Sequence, residues 1–169
     1  MGEDATMGLE LIDGKIVGRN MPTGYKHGNI EAIVVAVLIA FMRTAKLGRI
    51  LSGEVGIFVR RNPDVVRGAD AAYISEQRYA QVQSESYLDI APELIVEVMS
   101  PADTWSEVKT KLRDYFSAGV LLAWIIDPAS ETITAYNADG SVQEFATEST
   151  LTAEAVLPGF AVRVAEIFA

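Results

Sequence analysis

The spacing of apolar and polar residues divides the chain into short extended runs and two helical stretches. "LELIDGKIVG" (9–18) sets Asp13-Gly14 between two short apolar segments, a two-residue hairpin signal. After Pro22 and Gly24 the pattern predicts a long helix from about Asn29 to Lys46, stopped by Gly48. Its centre, "AIVVAVLIAFM", is apolar on almost every face, so it belongs in a deep core or at an interface. Strands are predicted at "EVGIFV" (54–59) and "ADAAYIS" (69–75), with a turn at Pro63-Asp64 between them. "SEQRYAQVQ" (75–83) opens a short helix on Ser75, with Arg78 where a capping glutamate would be ideal. "ELIVEVMSP" (93–101) is a continuous apolar run, too short for a helix and rich in β-branched residues, and reads as a buried strand. Asp103 can cap a following helix that carries Trp105, Val108, Leu112, Tyr115 and Phe116 on one face and closes at Gly119. "LLAWIID" (121–127) is a second apolar strand, and "ETITAYNADGSVQEF" (131–145) alternates as a hairpin around Asn137 to Gly140. The tail "VLPGFAVRVAEIFA" is mostly extended and ends in a short amphipathic turn.

Strand 93–99, helix and strand 121–127 form a βαβ pattern, for which a right-handed crossover is expected. The class is therefore α/β (α+β), a mixed sheet flanked by helices with added hairpins. At 169 residues without repeat or linker, one domain over 1–169 is expected, burying roughly 70% of its unfolded surface. Half of the residues are hydrophobic, which argues against disorder.

The absence of cysteine excludes disulfides, thiolate nucleophiles and zinc–thiolate sites and favours a reducing cytoplasm. One histidine alone cannot build a histidine-rich metal site. The acidic start "MGEDATMGLELIDG" has no apolar core of a signal peptide, and the longest apolar run, Ala32 to Met42, is 11 residues. No membrane association and a cytoplasmic location are expected. A net charge of −9 is the wrong sign for binding nucleic acid by bulk electrostatics, so any such contact rests on a local patch. Arg60, Arg61 and Arg67 can supply that patch, against the plainer reading of solvated loop arginines.

The chemistry lies in carboxylates placed inside strands. Glu97 interrupts "LIVEVM", Asp70 lies in "GADAAYI" and Glu54 begins "EVGIFV". An ionised carboxylate buried alone costs several kcal/mol, so Glu97 needs a partner. Such carboxylates repel one another unless a hard divalent cation compensates them. Magnesium suits few protein carboxylates, completing its octahedron with water and phosphate, and would activate a water against a phosphodiester. On the helix after Glu97, the apolar stripe is flanked by Lys109 on one side and Lys111 on the other, and helical geometry does not choose between them. The plainer alternative pairs Asp70 and Glu97 with Arg67, Lys109 or Lys111 in structural ion pairs. His27 on its plainest reading orders the start of the long helix, and Trp105 and Trp124 belong to the core.

"LELIDGKIV", "YKHGNI", "GEVGIFVRRNPDVVRGADAAYIS", "PELIVEVMSPADTW", "KLRDYFSAGVLLAWIIDP" and the terminal "LPGF" occur in this order and spacing over nearly the whole chain. In these stretches the chain resembles the Uma-two family of restriction-endonuclease-like proteins, a branch of the PD-(D/E)XK nuclease fold. The resemblance implies a mixed sheet flanked by helices, with a magnesium (or manganese) site at Asp70 and Glu97. It puts the upstream acidic partner at Glu54 and the catalytic lysine at Lys111, and brings His27 near the site. Two positions depart from the pattern: Ala69 stands where a proline usually precedes the aspartate, and Met99 stands where a lysine would follow Glu97 by two. Metal-dependent hydrolysis of DNA is the activity implied, and the long helix, apolar on more faces than a sheet can cover, predicts a homodimer. The alternative is a catalytically silent nuclease-fold module that binds nucleic acid or a protein partner. A third reading is a homodimerising structural protein whose strand carboxylates only make ion pairs.

Overall fold

The computed structural model describes residues 9–18 and 23–169. The acidic residues before Leu9 and the turn signal at Pro22 lie outside them. The elements run β1 (Leu9–Ile12), β2 (Lys15–Gly18), α1 (Tyr25–Ala45), β3 (Gly48–Arg60), β4 (Val65–Ser75), α2 (Glu76–Tyr79), β5 (Leu94–Val98), α3 (Trp105–Ala118), β6 (Leu122–Asp127), β7 (Thr132–Asn137), β8 (Val142–Phe145), β9 (Thr150–Thr152), β10 (Ala161–Arg163) and α4 (Val164–Ile167). The main sheet has the order β2-β1-β4-β5-β6-β7-β8, with β3 also paired to β4, and β9–β10 form a separate ribbon. β5 and β6 are parallel across the α3 crossover, and the other pairs are antiparallel, giving the mixed sheet flanked by helices that the pattern predicts.

Alternation along the central strands separates two cores. Leu94, Val96 and Val98 of β5, with Leu122, Trp124 and Ile126 of β6, pack against Ile30, Val34, Leu38 and Met42 of α1. Ile95, Ala123 and Ile125 face the other way, onto Val108, Leu112 and Tyr115 of α3. Glu97 shares the parity of Ile95, so its side chain is directed to α3. That single fact of register decides which helix serves it.

β4 carries the feature on which the site depends. β3 pairs along one edge of β4, from Val65 to Ser75. The opposite edge is shared: β1 meets it at Leu11↔Val66, and β5 meets it only from Ala71↔Val96 onward. Arg67, Gly68, Ala69 and Asp70 lie between these two partners, facing a slot in the sheet.

Several local expectations change on tertiary grounds. α1 begins one turn earlier than expected, at Tyr25, and runs through Gly28, whose amide bonds to Gly24 O at 3.1 Å. Glycine weakens a helix by about 1 kcal/mol, but here the preceding His27 is engaged by Asp70. With 21 residues, α1 is also longer than its central apolar run implied, long and apolar enough by length and composition to cross a bilayer. Its i, i+4 row Ile30, Val34, Leu38 and Met42 is nevertheless buried against the sheet. The cap of α3 is Thr104 rather than Asp103, in a capping box with Glu107, while Asp103 accepts the Ser100 amide. Trp105, expected in the core, sits at the first helical position and is 45% exposed. α2 is a single turn; Ser75 accepts the Arg78 amide, and Glu93 on the distant β5 side accepts the Ser75 amide that a local glutamate would have taken.

Candidate functional site

The slot beside β4 is filled by side chains where a strand would otherwise pair. The Gly68 amide donates to Glu10 Oε1 at 3.3 Å, and Gly68 O accepts from Tyr115 Oη at 3.0 Å and Lys111 Nζ at 3.4 Å. Backbone polar groups away from water require partners, and β1 and α3 supply them here. At the far end, where β4 and β5 part, the Val98 amide donates to Asp70 Oδ2 at 2.6 Å. Asp70 therefore occupies the place of the next ladder acceptor. It is 6% exposed, as is Arg67.

Glu97 is held through both oxygens. Lys111 Nζ lies 3.0 Å from Oε2, and Tyr115 Oη lies 2.7 Å from Oε1. Lys111 also reaches Glu10 Oε1 at 3.4 Å. Burial raises the Glu97 pKa to about 7, with Asp70 pushing the same way, and the opposing pull of Lys111 and the Tyr115 hydroxyl does not offset it. Burial pulls the Lys111 ammonium down, but Glu97 and then Glu10 outweigh it and hold the lysine protonated well above its ordinary range. Burial, reinforced by Glu97, likewise keeps Tyr115 a neutral phenol. The pair thus has a firmly positive lysine and a carboxylate whose charge is opposed by its surroundings.

Glu54 reaches the slot through a bulge. The β3–β4 register shifts between Ser52 and Val55, and Gly53 and Glu54 both adopt positive φ, at 87° and 56°. Such a bulge re-aims one side chain, and here it carries the Glu54 carboxylate over Gly68. A Cβ at position 68 would stand 2.8 Å from Glu54 Oε2, so glycine leaves room for the carboxylate where it lies, and an alanine would displace it. Burial, then Asp70, raises the Glu54 pKa.

From the α1 side, His27 Nε2 lies 3.3 Å from Asp70 Oδ1 and 4.0 Å from Glu31 Oε2. The hydrogen bond to Asp70 raises the His27 pKa despite burial. Glu31 is raised by burial and then by Asp70. One ligand atom from each of His27, Glu31 and Asp70 lies within 4.8 Å of the others, a grouping able to hold a metal ion. Glu54, Asp70, Glu97 and Lys111 all line one cleft of about 880 Å³, bounded by the β1–β2 hairpin, the start of α1 and α3.

All four residues singled out in the sequence thus meet in one cleft. Of the two helix lysines, Lys111 faces Glu97, while Lys109 is exposed. The arginines do not form the phosphate patch considered above. Arg67 is buried between Glu10 (2.7 Å) and Asp114 (2.6 Å), Arg60 pairs with Asp13, and Arg61 pairs with Asp64 while stacking on Phe58. Sequence reasoning missed Glu10, Glu31 and the polar end of Tyr115. Glu31 had a usable signal, its i, i+4 spacing from His27; Glu10 had none, because its role depends on docking the hairpin against β4.

Comparison with solved structures finds a match to "a putative nuclease belonging to DUF820" from Anabaena variabilis ATCC 29413, with a TM-score of 0.78 and 21% identity, covering 95% of this chain and 89% of that one. At that identity the likeness establishes the fold. No curated protein matches the chain. A family model matches residues 3–165, a span that takes in the hairpin, the slot and both flanking helices, and the chain belongs to the Uma2 family, whose description is "Putative restriction endonuclease".

Proposed function

We propose that the protein is a metal-dependent endonuclease that hydrolyses DNA phosphodiesters as a homodimer, with Asp70, Glu97, Glu54 and Lys111 at its centre. The observation that carries this reading is the convergence of a protonated lysine and strand carboxylates in one slot, with Lys111 Nζ 3.0 Å from Glu97. The donors fit a hard divalent ion such as Mg²⁺ or Mn²⁺. They are carboxylate oxygens, and the burial and neighbouring Asp70 charge that raise the pKa values of Glu54 and Glu97 are what a bound cation would offset. Bound by Asp70 and Glu97, such an ion supplies Lewis acidity toward a phosphoryl oxygen and lowers the pKa of a water.

The chain's own residues have separable tasks in this reading. Tyr115 and Lys111 fix the Glu97 carboxylate, and the Val98 amide fixes Asp70. Lys111, held protonated, positions the attacking water and stabilises charge developing on phosphorus oxygens; it does not act as the base. Self-association is supported by the outer face of α1, where Ala32, Ala36, Ile39 and Ala40 are exposed.

A second reading, a catalytically silent module, is favoured by one observation: both Glu97 oxygens already have protein partners. Cleavage assays on single- and double-stranded DNA and RNA, with Mg²⁺ and Mn²⁺, separate the two. We expect Asp70→Asn to abolish cleavage. Lys111→Ala should reduce cleavage by about 10²-fold or more while retaining metal-induced thermal stabilisation, and Lys109→Ala should cut normally. A wild type that is stabilised by metal yet cuts nothing establishes the silent module instead.

A further inference from the structure

The first two turns of α1 present His27 and Glu31, four residues apart and on one face, to the strand carboxylate Asp70. Their separations, 3.3 Å from Nε2 to Asp70 Oδ1 and 4.0 Å to Glu31 Oε2, can be compared with an ion's coordination shell. Adjacent ligands of an octahedral ion with bonds of about 2.1 Å stand roughly 3.0 Å apart. The distance to Asp70 is also longer than the about 2.7–2.9 Å of a tight charge-assisted pair.

The ring and its neighbours are held from several elements. Asp70 is anchored by the Val98 amide of β5, and Glu31 accepts a backbone hydrogen bond from Gly53 in the β3 bulge. Among the described residues, the polar groups at the imidazole are the two carboxylates on Nε2, and its buried Nδ1 has no hydrogen-bond partner. An imidazole serving only to order the helix start does not require a second carboxylate, pinned from β3, at the same nitrogen.

We infer that His27 Nε2, Glu31 and Asp70 Oδ1 together form a binding site for a Mn²⁺-class divalent ion, so that the metal ligands of this cleft extend from the sheet onto α1. This rests on the metal-dependent reading above and deepens it by naming the ion class. One nitrogen among oxygen donors is the chemical basis for the choice, because imidazole suits later first-row divalent ions while magnesium is served by oxygen alone. Selection of Mn²⁺ over Mg²⁺ is thereby assigned to His27, with Glu31 adding charge and a third ligand.

The test uses Mn²⁺ and Mg²⁺ themselves as probes of the full chain. Pulsed electron paramagnetic resonance of bound Mn²⁺ should show nitrogen hyperfine coupling that disappears in His27→Gln. Calorimetric titration should give Mn²⁺ affinity at least about tenfold above that of Mg²⁺, reduced by about tenfold or more in His27→Gln and in Glu31→Gln. His27→Gln should leave Mg²⁺ affinity within about threefold, since no oxygen ligand is removed. Melting in chelator checks that each variant folds, and the wild-type nitrogen coupling decides the matter if His27→Gln does not. Mn²⁺ bound without nitrogen coupling, equal affinity for the two ions, or no binding of either at millimolar concentration overturns the inference. Coupling present without any cleavage retains this site and removes the nuclease reading; cleavage without coupling does the reverse.

Discussion

At the scale of single residues, the raised pKa of Glu97 has a definite consequence for stability. Its value moves from 4.5 in the unfolded chain to about 7 in the fold, so the folded state binds the extra proton. The stability this contributes is complete below about pH 4.5 and is lost as pH rises through about 7. Glu31, Glu54 and His27 are also raised and act with the same sign. Lys111, raised as well, loses its contribution only above 10.5 and is silent in this window. Denaturant unfolding in chelator should therefore show stability falling between pH 5 and pH 8, by about 1–3 kcal/mol from Glu97 alone. Glu97→Gln should flatten that slope and be at least as stable as wild type at pH 8; a wild type that gains stability across the range contradicts the assignment. The anomaly of Glu97 was legible in the sequence because a lone carboxylate in an apolar run is conspicuous. The choice between Lys111 and Lys109 was not, since both flank the buried stripe and only Glu97, Glu10 and Gly68 O distinguish them.

At the scale of elements, β4 depends on Arg67, whose guanidinium bridges Glu10 of β1 and Asp114 of α3. Arg67→Met keeps the length of the side chain but takes the guanidinium from Asp114 and leaves Glu10 to Lys111 and the Gly68 amide. We expect a loss of about 3 kcal/mol, read as a lower urea midpoint. The triple variant Arg67→Met, Glu10→Gln, Asp114→Asn should recover most of that loss, because no unpaired charge remains. If the single and triple variants are equally destabilised, Arg67 acts through packing and not through charge. Most strands and both long helices could be read from periodicity, as could the hairpin at Asn137 to Gly140, because burial on one face leaves its spacing in the sequence. The slot could not. It exists because β1 and β5, separated in sequence by α1, β3 and β4 itself, divide one edge of β4 between them. Arg67 looked like a loop arginine for the same reason: what buries it lies 47 and 57 residues away.

At the scale of the whole molecule, the exposed apolar face of α1 and the net charge of −9 pull association in opposite directions. Apolar burial acts locally, whereas like charges on two copies are screened beyond about 10 Å at 0.1 M salt. Light scattering at micromolar concentration should give a mass near twice 18.3 kDa, and Ile39→Glu, which charges the largest exposed apolar side chain of that face, should return it to the monomer. A single 18.3 kDa species for the wild type would exclude the homodimer. The attachment of the β1–β2 hairpin sets a different property, the order in which parts of the molecule open. Among the described residues, one ladder pair, Leu11↔Val66, joins it to the sheet, and its further polar contacts are the Gly14 amide on Asp64 O, the Gly68 amide on Glu10 and the charged contacts of Asp13 and Glu10. β5 and β6, by contrast, are paired over five consecutive positions. The hairpin is thus a tab fastened largely by charge, one that salt loosens without unfolding the rest. Amide hydrogens of residues 15–18 should exchange at rates that quicken with ionic strength, while those of β5 and β6 exchange only with global unfolding. Each such opening withdraws Glu10 from Lys111 and uncovers one wall of the cleft, so the time that the lysine spends fully held is governed by the least secure corner of the sheet.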